Sequence, residues 1–261
     1  MKNHTLEEYT LPFDSISHFT AEEIYSLQML GHIYNETNAL CKLTYINRGE
    51  TDAINAIKSA SMFHAVLFVR LHAGKLHEAH ITINSNPHIR DFLKKRCFAN
   101  MREERGAKLL KAFNSAVGRC KWLSDARNQD AMHFGTYENL QKGVSTIIEN
   151  KIDFEYIKGT MAMETLFVTS NTMTSLSFFH RSDNEDWKSG LSTLLNDLES
   201  IQDALYDLIH ESIDSIVTQY TKKSIAYKKR LKHKKIKSFD RPSIHKYHMP
   251  YFFDFDNQAT K

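Results

Sequence analysis

Ser124-Asp125-Ala126-Arg127-Asn128-Gln129-Asp130-Ala131-Met132-His133-Phe134-Gly135 is the stretch around which the chain is organised. It contains no proline and no β-branched run, so it predicts a helix, with Gly135 placed to end it. Helical spacing continues on both sides. Upstream, Leu109, Leu110, Phe113 and Val117 recur at helical intervals over residues 102–118, and Trp122, Leu123 and Ala126 would face inward. Downstream, Thr136 would cap a helix to about Asn150 with Leu140, Val144, Ile147 and Ile148 inward. A mainly-α helical bundle follows.

Within the stretch, Arg127 carries a charge that cannot be neutralised, and His133 carries an imidazole that exchanges protons near pH 7. The pair suits phosphodiester chemistry, because Arg grips a phosphate and His moves a proton. On a straight α-helix six positions at ~100° leave the two side chains roughly 120° and about 9 Å apart. Convergence therefore requires a long reach by Arg127, a helix that ends or bends near His133, or a second copy of the segment across a dimer axis.

Arg127-Asn128, four further residues and then His133 resemble the signature of the HEPN superfamily (higher eukaryotes and prokaryotes nucleotide-binding). Ala131-Met132-His133-Phe134 is similar to the small-apolar-His-aromatic run common in that family. The resemblance implies an all-helical fold and a metal-independent ribonuclease that works as a homodimer. It also implies a bacterial defence or toxin-antitoxin setting, with an antitoxin or regulatory protein as a further partner. Under it Arg127, Asn128 and His133 are the catalytic residues. Residues 70–79 are similar to a HEPN-like helix in which a Glu can face the site, so Arg70, Asp130 and Glu78 are supporting residues. Asp130 or Glu78 would set the imidazole's tautomer. An ion-paired polar edge is the other reading of Arg70 and Glu78. No cofactor or metal is expected: the run His77-Glu78-Ala79-His80 lacks the i, i+4 histidine spacing of a zinc-protease helix.

The remaining helices read outward from this centre. Thr20 with Glu23 three residues later is a capping box opening a helix to about Asn47. Thr51-Asp52 opens a long apolar helix to about residue 82, with Met62, Ala65, Val66, Val69, Ala73 and Leu76 on one face. Asn84 to Asn86 read as a loop, Pro87 as a helix start and His88 to Phe98 as a short helix. Asp183 or Asn184 would cap a last helix to about residue 223. Residues 151–180 change character. Ile152 to Ile157 alternates at period two, and Thr165–Thr169 and Leu176–Phe179 are β-branched and aromatic. They predict a small β-hairpin-like insertion in a single helical domain of residues 1–220.

Composition excludes several classes. In 261 residues, 41% hydrophobic and 25% charged describe a soluble globular protein, and only four prolines favour long helices. No stretch approaches the ~20 apolar residues of a membrane span, and no signal layout opens the chain. Cys41, Cys97 and Cys120 are an odd, scattered set, which argues against a disulfide framework and for a reducing, cytoplasmic compartment.

The net charge of +3 hides an asymmetry: residues 1–220 hold 22 basic and 28 acidic side chains. The positive charge gathers in a C-terminal extension, residues 221–261, on Lys222, Lys223, Lys228, Lys229, Arg230, Lys232, Lys234, Lys235 and Lys237. Such a run attracts a phosphate backbone, and Tyr227 and Phe239 could stack on unpaired bases; a solubilising or membrane-surface tail is the other reading. The aromatic end, residues 247–255, should dock on the body or on a neighbouring subunit.

Two functions follow from different classes. One is an endoribonuclease cutting single-stranded RNA by 2′-OH attack to leave a 2′,3′-cyclic phosphate. The other is a catalytically silent helical module that binds a nucleotide, nucleic acid or protein; a plain helical scaffold is the remaining possibility.

Overall fold

The computed structural model describes residues 6–47, 54–102, 104–131, 133–159, 164–183, 185–222, 232–236 and 249–251. The fold is mainly α. In chain order, strand β1 (Leu6–Thr10) and the short helix α1 (Phe13–Ile16) precede the long helices α2 (Ala21–Ile46) and α3 (Asn55–Ser85). Then come α4 (Pro87–Phe92), a π-helical stretch (Leu93–Cys97), α5 (Arg105–Arg119), α6 (Trp122–Asp125), a second π-helical stretch (Ala126–Ala131) and α7 (Tyr137–Glu149). Strands β2 (Tyr156–Ile157) and β3 (Leu166–Phe167), helices α8 (Val168–Phe179) and α9 (Trp187–Lys222), and strand β4 (Lys232–Ile236) complete the order. None of the described helices is long and apolar enough to cross a membrane.

The chain forms two compact units. One comprises residues 1–36, 78–119 and 199–242; the other comprises 37–77, 120–198 and 243–261. In the first, Leu30, Ile83, Ile89, Phe92, Phe113, Ile201 and Leu205 are fully buried. The capping box forms as spaced: the Thr20 N–H donates to Glu23 Oε2 at 3.0 Å and the Glu23 N–H to Thr20 Oγ1 at 3.3 Å. Arg96 then reaches the same Glu23 carboxylate with Nε and Nη2, at 2.6 and 3.0 Å. Asn86, not a plain loop residue, caps α4 by accepting from His88 N and Ile89 N. β1 and β4 pair antiparallel, with Glu7 opposite Lys235 and Glu8 opposite Lys234.

The second unit carries the motif. Val66, Val69, Ala73, Leu76, Leu123, Ala126, Leu176, Phe178 and Leu194 form its core. α7 packs on α8 at Gly143, whose N–H donates to Ser177 Oγ at 3.0 Å; Ser177 Oγ in turn donates to Leu140 O at 3.0 Å. This contact sets the buried face of α7 to Gly143 and Thr146, so Ile148, expected inward, is exposed. Tyr251 packs near Phe63 and His64, 6.3 and 5.4 Å between centroids, and its hydroxyl donates to Thr165 O. Tyr251 therefore docks on the body, while residues 247, 248 and 252–255 of the aromatic end lie outside the described residues.

The insertion over 151–180 is smaller than its sequence suggests. β2 and β3 pair antiparallel over two residues each, Tyr156 with Phe167 and Ile157 with Leu166. From Val168 onward the strand-like residues are helical. Their hydroxyls bond back along the helix, Thr172 Oγ1 to Val168 O and Ser175 Oγ to Asn171 O, while Leu176, Phe178 and Phe179 bury their side chains. Burial of that face outweighs the local β-propensity. At α9 the cap is not the expected Asp183 but Asp186, which accepts from Lys188 N and Ser189 N; Asp183 caps the turn before it. The expected opening at Thr51-Asp52 and the Asn184 cap lie outside the described residues.

Candidate functional site

The motif is seated from two sides of the second unit. Trp122, at the start of α6, donates from Nε1 to Asp197 Oδ2 at 2.8 Å and stands edge-on to Phe178. Leu123 and Ala126 are fully buried, as their spacing requires. From Ala126 the helix widens to π geometry and ends at Ala131, short of the expected end at Phe134. The chain breaks helix at Cys120, so α5 and the motif are separate helices. Single π-helical turns inside helices gather at functional sites.

The widened turn lies close against α3. A Cβ added at Gly74 would fall 2.7 Å from Ala131 Cβ and 4.0 Å from Arg127 Cα, so only glycine fits that position of α3. On one side of the turn, Arg127 Nη1 donates to Asn128 Oδ1 at 2.7 Å, which holds the two catalytic candidates together near the surface. His133 is exposed in the bend after the helix end, and Phe134 beside it is 104% exposed. Arg127 and His133 thus do not share one straight helix. Of the three expected routes to convergence, a helix that ends before His133 is present.

Asp130 faces the other way. Its side chain is 3% exposed and Arg181, 14% exposed, grips it as a fork: Nε bonds Oδ2, and Nη2 bonds Oδ1 at 3.2 Å. Both carboxylate oxygens are engaged by Arg181. Burial pushes the Asp130 carboxyl above its ordinary value, opposed by Arg181 and by the charge of Arg70. Arg70 is part of the same cluster. Burial lowers its guanidinium, the Asp130 charge opposes that shift, and its Nε has no hydrogen-bond partner. A carboxylate flanked by two guanidiniums is therefore built under the turn that presents Arg127. No protein-family model, no curated protein and no solved structure matches this chain.

The other candidates are dispersed. Glu78, two turns along α3 from Arg70, belongs to the first compact unit. Lys222 ends α9, and Lys232, Lys234 and Lys235 lie in β4 opposite Thr10, Glu8 and Glu7. Lys223, Lys228, Lys229, Arg230 and Lys237, with Tyr227 and Phe239, lie outside the described residues. Sequence reasoning missed Arg181. A polar run, His180-Arg181-Ser182-Asp183, abruptly follows the apolar Leu176–Phe179, and reading that stretch as a strand concealed an arginine set at a helix end.

Proposed function

We propose that this chain is a HEPN-like, metal-independent endoribonuclease acting on single-stranded RNA. The observation carrying this reading is the exposed Arg127–Asn128 pair on a π-helical turn that Asp130 and Arg181 lock from beneath, with His133 exposed just past its end. In the reaction the 2′-oxygen forms a bond to the adjacent phosphorus and the bond from phosphorus to the 5′-oxygen breaks. His133 takes the 2′-OH proton, and the leaving 5′-oxygen gains a proton from a second His133 in a homodimer or from water. Arg127 stabilises charge on the non-bridging oxygens and Asn128 orients it. The products are a 2′,3′-cyclic phosphate and a 5′-OH. The basic residues from Lys222 to Lys237 supply salt-sensitive attraction for the RNA backbone. A defence or toxin role with a regulatory partner belongs to the same reading.

The test is purified full-length protein and single-stranded RNA in excess EDTA. Cleavage with cyclic-phosphate ends is expected, falling at least about 100-fold in His133→Ala and in Arg127→Ala. Tight RNA binding without cleavage overturns the enzyme in favour of a silent binding module. That second reading is favoured by the bare rings of Phe134 and of Tyr137, 66% exposed, beside His133. These rings suit stacking on a base or a protein partner.

A further inference from the structure

The second unit contains a cavity of about 840 Å³ that the ribonuclease reading does not use. The α3 wall is apolar, with Met62, Phe63, Val66 and Val69, and α8 adds Leu176 and Phe179. From α9, Leu191, Leu195 and the ring of Trp187 contribute. Three of the hydroxyls on this surface are turned back into their own helices: Thr44 donates to Leu40 O, Thr172 to Val168 O and Ser175 to Asn171 O. The volume falls within the range of pockets that enclose a small organic molecule, roughly 300–1,000 Å³.

The charge of the described lining is one-sided. Among the described lining residues there is no Asp or Glu and a single cation, Lys58, which is exposed and makes no ion pair. A second lysine, Lys188, stands over the Trp187 ring at 5.6 Å. Apolar side chains remain uncovered on the same surface: Met62 is 62% exposed and Leu195 40%. An occupant matched to this chemistry has a hydrocarbon body and one negative head.

We propose that this cavity is a binding site for an amphipathic carboxylate, its chain among Val66, Val69, Leu176 and Phe179 and its head at Lys58. A cationic or neutral chain of equal length satisfies the walls but not the lysine. Because Trp187 is one of only two tryptophans, its emission reports occupancy directly.

The probe is dodecanoate, titrated into the full-length protein below its micellar concentration and followed by tryptophan fluorescence and calorimetry. Saturation at one molecule per chain is expected, with octanoate at least about tenfold weaker, since each buried methylene contributes. Dodecyltrimethylammonium should bind at least tenfold more weakly than dodecanoate. Lys58→Glu, an exposed change, should weaken dodecanoate at least fivefold, and Thr172→Phe, which fills the cavity, should do the same by calorimetry. Trp187→Phe should abolish the fluorescence response while calorimetric binding persists. Non-saturating uptake overturns the proposal, as do equal affinities for the anionic and cationic chains or unchanged binding in both Lys58→Glu and Thr172→Phe. The outcome is independent of whether the protein cleaves RNA.

Discussion

At the scale of single residues, the decisive pair is Asp130 and Arg181. A carboxylate at 3% exposure is tolerable only with its charge met, and Arg181 meets it with two hydrogen bonds. Removing one partner of such a pair leaves an uncompensated buried charge, at a cost of about 3–5 kcal/mol. In Asp130→Asn both Arg181 and Arg70 lose their counter-charge, so a fall in stability of that size is expected by chemical denaturation. Replacing the pair together, Asp130→Asn with Arg181→Met, should cost less than the single change. A double variant as unstable as the sum of its parts would show that the fork does not couple. Asp130 also illustrates what sequence can and cannot convey. Its position beside Arg127 marked it as part of the site, but its partner is 51 residues away and unmarked by any spacing rule.

Among the elements, legibility followed the strength of the local signal. The Thr20–Glu23 box and the periodic apolar faces of α3 and α5 are local patterns, and each produced the helix it predicts. α8 was misread because its Val, Thr and Phe content favours a strand in isolation, while its helix is fixed by burial against α7 and Trp122. The π geometry of the motif carries no compositional signature at all. It coincides with a close approach of α3, at Gly74. The α7–α8 contact offers the sharpest test. A Cβ at Gly143 would lie 2.1 Å from Met173 O and 2.4 Å from Ser177 Oγ, and the backbone oxygen cannot swing aside. Alanine favours a helix over glycine by about 1 kcal/mol. Overpacking against a fixed carbonyl costs about 1–3 kcal/mol, and the bond to Ser177 is strained as well. Gly143→Ala should therefore lower the melting temperature. A higher one would mean that α7 and α8 separate readily.

For the molecule as a whole, charge distribution governs how stability responds to acid. Glu23 is held below its ordinary range chiefly by the hydrogen bonds from Arg96, and Glu211 by those from Arg105. A carboxylate whose folded value is depressed stabilises the fold above the usual range of about 4.3, and loses that contribution as pH falls through the folded value. The Glu23 pair is partly exposed, so its contribution is about 1 kcal/mol at most. Glu23→Gln keeps the shape of the capping box and removes the charge. It should unfold more easily than the parent at pH 7, and the two should converge as pH falls through the folded value of Glu23. Parallel pH profiles would show that Arg96 adds nothing. The basic run, by contrast, was legible only as charge. Its pairing through β4 with the acidic strand β1 joins residues more than 220 positions apart, which no local pattern announces.

Helix α8 has two duties at once: Leu176 and Phe179 wall the hollow in the second unit, and two residues beyond Phe179 stands the arginine that fastens the motif turn. α3 repeats the arrangement, with Val69 on the wall and Arg70 immediately after it in the buried cluster. Thermodynamic reciprocity then applies between the wall and the buried cluster. Whatever preference a guest in the hollow has for one seating of α3 and α8 is returned, in equal free energy, as a preference in how firmly Arg127 is presented. An anion caught by Arg127 would tune the guest's grip by the same factor.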